Sequence, residues 1–286
     1  MAFDVSSMKK ESGRRHHFVP RSYLRRFAVG KKHRLHVQEI KEGKVMRDIN
    51  PNVTSFLVEC GIYDLNAFRM DSPNFTNVED GFLEDLVFAQ IHEPLYSKSL
   101  KNSIDLDLVP DVSTCKGIIQ GVWTLYLRTP RIRRINAEIA KEVDLEIDDN
   151  RRKFLNSFGM VTAKTILKLF PKTLVHTRSI LFNAVGVSGF LTTDHPSIPC
   201  FYDDVRERIS RCNEHQLQRS VILADEWPNE VALLCPLSPR WCILTWSVQE
   251  LSSVQCKPIE SEMTERLNLF IRENAERFVI LPPPRR

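Results

Sequence analysis

Three side chains have the types that acid–base and phosphate chemistry use: His17, Arg128 and Asp194. His17 sits in a basic run just ahead of a helix start. An imidazole there can act as general acid or base near neutral pH, or bind a metal. It can equally anchor the segment by bonding a backbone carbonyl. Asp194, in TTDHP (192–196), follows a strand, and loops after strands are where sites collect. Its carboxylate would hold a divalent cation or orient His17, or else close an Asx-turn on nearby amides. Arg128 ends an apolar helix and opens RTPRIRR. A guanidinium leaving such a helix pairs with a carboxylate, Asp194 among the candidates, or with a phosphate. If the three converge on a cleft, they would bind a phosphodiester. With magnesium or manganese they would cleave it, as a nuclease-like hydrolase. The competing expectation is a structural His/Arg/Asp lock in a module without chemistry.

The charge distribution points the same way. Residues 1–34 hold ten Lys and Arg against Asp4 and Glu11, while the whole chain is only +4. The remainder is therefore net acidic. Arg14, Arg15, Arg21, Arg25 and Arg26, with Arg131, would grip a nucleic acid or another polyanion. Binding of that kind is salt-sensitive and poor in sequence information. An acidic protein is the other partner such an arm would suit, and a merely solvated tail is the bland alternative.

Several classes are disfavoured. With only 10 glycines the chain has no GxxxxGK[ST] and no GxGxxG, and HExxH and GxSxG are missing too. HHFVP opens like an HNH nuclease, but the helix-like RSYLRRF follows at once where a strand belongs. The 7 cysteines are odd in number, widely spaced and without CxxC, which predicts reduced thiols and a cytoplasmic setting. The N-terminus has no apolar core for a secretory signal, and no run is long enough for a membrane span.

These residues must be carried by ordered elements. A composition of 42% hydrophobic and 27% charged residues is that of a globular protein. A short helix is expected over 21–28, with Tyr23, Leu24 and Phe27 on one face. RLHVQEI and KVMRDI read as a hairpin around KEGK, and FLVECGIYDL (56–65) as a short extended piece. Thr76 and Glu79 are spaced as a capping box for a helix that Pro94 interrupts. A buried helix covers 116–128 and stops near Thr129-Pro130. An amphipathic helix covers 151–170. Apolar strands follow in TLVHTRSILF, AVGVSGFLT, VALLCPL and WCILTWSV. The polar stretch 200–230 reads as a loop, and a last helix covers about 259–277. The fold class is α+β: N-terminal hairpin, central helices, a C-terminal mostly antiparallel sheet and a last helix. Residues 1–13 are expected to be a disordered basic arm, 14–281 one domain and 282–286 a tail.

HHFVPRSYLRRF, IYDL, LRTP, TTDHP, PLSP and Asn268 with ENAERFVI occur in an order that resembles a bacterial family, domain of unknown function 4238. The likeness runs over roughly 16–280. His17, Pro20, Tyr23, Leu24, Phe27, Arg128, Asp194, Pro196 and Pro236 occupy its signature positions. Thr193 stands where the family tends to have Ser, and Leu125 where it tends to have Gln. The resemblance implies one domain in a bacterial or phage intracellular protein. It brings no activity with it. Bacterial defence or toxin biology is the setting expected of such families.

Overall fold

The computed structural model describes residues 15–41, 45–49, 57–60, 92–142, 176–203, 208–224, 227–248 and 252–283. The expected helices over 78–91 and 151–170, the capping box and the 1–13 arm lie outside them.

Strand β1 (Arg15–His17) pairs antiparallel with β4 (Val58–Cys60). Helix α1 (Arg21–Leu24) runs into a tighter turn over Arg25–Phe27. Pro20 precedes it, where a missing amide costs nothing, and its carbonyl accepts from Tyr23 and Leu24. The expected hairpin is present as β2 (Leu35–Glu39) and β3 (Val45–Ile49).

Helix α2 (Glu93–Lys101) carries Pro94 in its first turn. Proline therefore starts this helix; the stripe that it was expected to interrupt lies outside the described residues. Helix α3 (Val112–Arg128) begins at Asp111, whose side chain accepts from the Thr114 amide at 2.6 Å. Thr129 is extended, as a residue before proline must be, and α4 (Pro130–Glu142) starts at once. The sequence reading stopped at Pro130 and missed this helix.

A six-stranded sheet has the order β11-β5-β10-β9-β7-β8. Its strands are β5 (Thr177–Ala184), β7 (Ile198–Asp203), β8 (Arg208–Arg211), β9 (Val231–Pro236), β10 (Trp241–Ser247) and β11 (Ser253–Ile259). All its pairings are antiparallel except β11 with β5. A four-stranded sheet runs β3-β2-β12-β6, with β6 (Thr192–Thr193) and β12 (Phe278–Leu281). Helices α5 (Glu214–Ala224) and α6 (Ser261–Glu273) complete the described elements. The stretch 200–230 is thus not a loop. It supplies the end of β7, the edge strand β8 and α5. Its polarity is that of an edge strand and of a helix that buries only one side, through Leu217 and Val221.

Both faces of the large sheet are covered. Along β10, Trp241 and Ile243 pack with α3 residues such as Ile118, Val122 and Tyr126. Cys242 and Leu244 pack on the other side with Leu267 and Ile271 of α6. Strands covered twice lose the in–out alternation of an exposed sheet, which is why VALLCPL and WCILTWSV read as unbroken apolar runs. Six cysteines, among them Cys235 and Cys242, are free thiols. Among the described residues, no helix is long and apolar enough to cross a membrane.

Helices α2 and α3 touch through Gly121. A Cβ there would lie 2.0 Å from Tyr96 Cδ2. Gly121→Ala gains helix propensity of up to about 1 kcal/mol. Overpacking a closed core costs about 1–3 kcal/mol, so the clash should dominate. Urea denaturation should show a lower midpoint at unchanged slope; an unchanged or raised midpoint would show that the α2–α3 contact yields freely.

Candidate functional site

The motifs flagged in the sequence meet in space. The Tyr23 hydroxyl donates to the Pro236 carbonyl at 2.7 Å and lies 2.6 Å from Thr192 Oγ1. Asn268 spans the approach to β6: its carbonyl accepts from the Leu191 amide and its amide donates to the Gly189 carbonyl. The Tyr23 contacts are buried and those of Asn268 half-buried, and all of them join elements of the fold.

His17 and Arg128 are brought together through the backbone of His17. The Arg128 side chain is fully buried. Its Nη1 donates to Glu93 Oε1 at 2.7 Å and its Nη2 to the His17 carbonyl at 2.7 Å. The His17 ring accepts at Nε2 from Arg21 Nε at 2.8 Å. Close by, His92 Nδ1 lies 2.7 Å from the Gln120 amide nitrogen. Burial, with Arg128 nearby, pushes the His92 pKa down to about 4, so this ring is neutral at physiological pH. The carboxylate partner of Arg128 is therefore Glu93, where the sequence suggested Asp194. A guanidinium spent this way inside the protein is a clasp between α3, α2 and β1.

Asp194 serves a different segment. Its Oδ1 accepts from the Glu276 amide at 3.0 Å, and its Oδ2 from the amides of Arg277 at 2.8 Å and Phe278 at 3.2 Å. Burial pushes its pKa up, against the pull of the three amides. The expected Asx-turn is replaced by capture of amides far along the chain. Both oxygens are engaged, which leaves them poorly placed to hold a metal or to orient His17. Among the described residues, no group of three or more His, Cys, Asp and Glu is placed to hold a metal ion.

A second buried cluster adjoins Asp194. His195 Nδ1 lies 3.0 Å from Thr129 Oγ1, and its Nε2 faces Glu214 Oε2 at 3.5 Å. Glu214 also pairs with Arg131 at 3.0 Å, and Arg131 donates to the Asn274 carbonyl at 3.1 Å. Burial alone would raise the Glu214 pKa, but the His195 ring and the Arg131 guanidinium bring it below the usual carboxylate range. Sequence reasoning missed Glu214 because it lay in the stretch taken for a loop. His195 was visible beside Asp194, but nothing marked its partner.

Arg131 leads to an open cleft of about 640 Å³, lined by Glu39, Lys41, Arg131, Arg134, Glu276 and Arg277. Arg134 pairs with Glu276. Arg277 pairs with Glu39 at 2.8 Å and lies over the Phe278 ring at 4.7 Å. Asp194 holds the backbone that carries Glu276 and Arg277, so it positions one wall of this cleft. Of the cations expected to meet a polyanion, Arg131 alone lines it. Arg25 is exposed elsewhere on the surface. Arg21 is bonded to His17, and Arg26 is tied to Asp105 at 3.0 and 3.1 Å. Arg14 and the Arg15 side chain lie outside the described residues.

Glu214 gives a pH test. Its folded-state pKa is lowered, so its ionised form adds stability at neutral pH, above the range where the unfolded carboxylate titrates. That contribution is lost as pH falls through the ordinary glutamate range and below it. Thermal melts at falling pH should therefore show Glu214→Gln less stable than the parent at neutral pH, with the gap closing in acid. A gap that widens in acid would contradict the assigned sign.

The chain matches a family model described as "Protein of unknown function (DUF4238)" over residues 15–283. No curated protein and no solved structure matches it. The match spans nearly the whole sequence and takes in Tyr23, Arg128, Asp194 and Pro236; the chain belongs to the DUF4238 family.

Proposed function

We propose that the protein is a nucleic-acid-binding module that grips the phosphate backbone without cleaving it. One observation carries this reading: among the described residues, four cationic side chains and two carboxylates line an open cleft that Asp194 and Arg131 help to build. Phosphate contacts by Arg and Lys supply most of the affinity of sequence-independent binding. The N-terminal basic residues, ten Lys and Arg within 1–34, add to the same attraction.

Hydrolysis has weaker support. Arg128 is buried against Glu93 and a carbonyl, and both Asp194 oxygens hold backbone amides. A charge partner or a metal ligand in a reaction must instead be open to substrate.

The test uses the full chain with labelled RNA and DNA oligonucleotides, read by fluorescence anisotropy at several salt concentrations. Log affinity should fall with log salt at a slope of roughly −3 to −4, from about 0.7–0.9 per phosphate neutralised. Arg134→Gln should make the slope shallower by about one. Binding that ignores salt sinks the proposal. So does metal-dependent cleavage that disappears in both His17→Ala and Asp194→Ala while folding is retained; that result would establish the hydrolase.

A further inference from the structure

From the make-up of the cleft we infer that it prefers a phosphate monoester, the terminal phosphate of a bound nucleic-acid strand, over the internal diesters of the same backbone. This rests on the binding reading above and narrows it.

Size is the first ground. About 640 Å³ is the volume of a small-molecule site. It holds a nucleotide-sized group, whereas a groove that tracks a backbone extends over several phosphates.

The lining is the second ground. All six described lining residues are charged. Charged donors of this kind suit the oxygens of a phosphate group.

Convergence is the third ground. Arg131 and Arg134 project from α4, Arg277 from the turn before β12, and Lys41 from just beyond β2. Four donors from three directions surround one concavity. An internal diester offers one charge and two free oxygens. A monoester offers about −1.5 to −2 at neutral pH and three acceptor oxygens. The second group uses more of the donors present.

Preorganisation is the fourth ground. Each arginine is held by a carboxylate: Arg131 by Glu214, Arg134 by Glu276 and Arg277 by Glu39. Their forks are set before the ligand arrives, which lowers the ordering cost of binding. Lys41 is exposed on the rim of the same cleft.

The experiment compares one 12-nucleotide sequence in three forms: 5′-phosphorylated, 3′-phosphorylated and unphosphorylated at both ends. Anisotropy with an internal fluorophore reports binding to the full-length protein. One phosphorylated form is expected to bind about tenfold tighter than the unphosphorylated one, the size of one strong charge-assisted contact. The preference should grow between pH 5 and pH 7.5, as the monoester loses its second proton near pH 6. Lys41→Gln and Arg134→Gln, both on exposed side chains, should reduce the preference severalfold while thermal melts stay unchanged. If all three forms bind equally, the end-phosphate inference is overturned and the backbone-binding reading survives. If none binds, both fall.

Discussion

Asp194 is buried, and its carboxylate accepts three consecutive backbone amides, those of Glu276, Arg277 and Phe278. Taking a carboxylate out of water costs several kcal/mol. Hydrogen bonds to a charged acceptor return about 1.5–3 kcal/mol each, so three of them offset part of that cost, and burial still leaves the Asp194 pKa raised. The arrangement fixes how the chain leaves α6 and enters β12. From there β12 pairs with β2 on one side and β6 on the other, joining the two ends of the chain in one sheet. The same turn presents Glu276 and Arg277 to the cleft. A single carboxylate thus links the closing of the fold to the shape of the surface that meets solvent.

The other buried charges follow the same logic. Arg128 ties the end of α3 to α2 and β1; Glu214 ties α5 to α4 through Arg131 and faces His195. Each is paired, because burying a charge without a partner costs far more than burying a matched pair. The reactive side chain types of this protein are mostly spent on joints between elements. Among the described residues, the cations around the cleft stand on helix and turn positions that these joints hold in place.

Much of the architecture was legible. Helix α3 announced itself by an apolar run closed by Thr129-Pro130, and the β2–β3 hairpin by alternation around KEGK. Strands β9 and β10 showed as short β-branched and aromatic runs. Less visible were elements whose stability comes from a distant neighbour. Strand β11 is an edge with an exposed, polar pattern and forms only because β5 offers it a parallel partner. Strand β12 is four residues long, lies just past the expected last helix, and takes shape between β2 and β6. Helix α4 was hidden by Pro130, which stops one helix and starts the next.

Composition and local pattern were enough to establish an α+β chain and its cationic leading segment, while the family resemblance singled out Tyr23, Arg128, Asp194 and Pro236. Those properties depend on residue type and on spacings of a few residues, which a linear string records. Tertiary structure alone decided what the charged groups are for. Whether Asp194 faces a metal, an imidazole or three amides depends on what lies within 3 Å of it, and those amides come from residues 276–278. No local pattern carries that distance. The cleft likewise gathers Lys41, Arg131, Arg134 and Arg277 from segments that only the packed chain brings together.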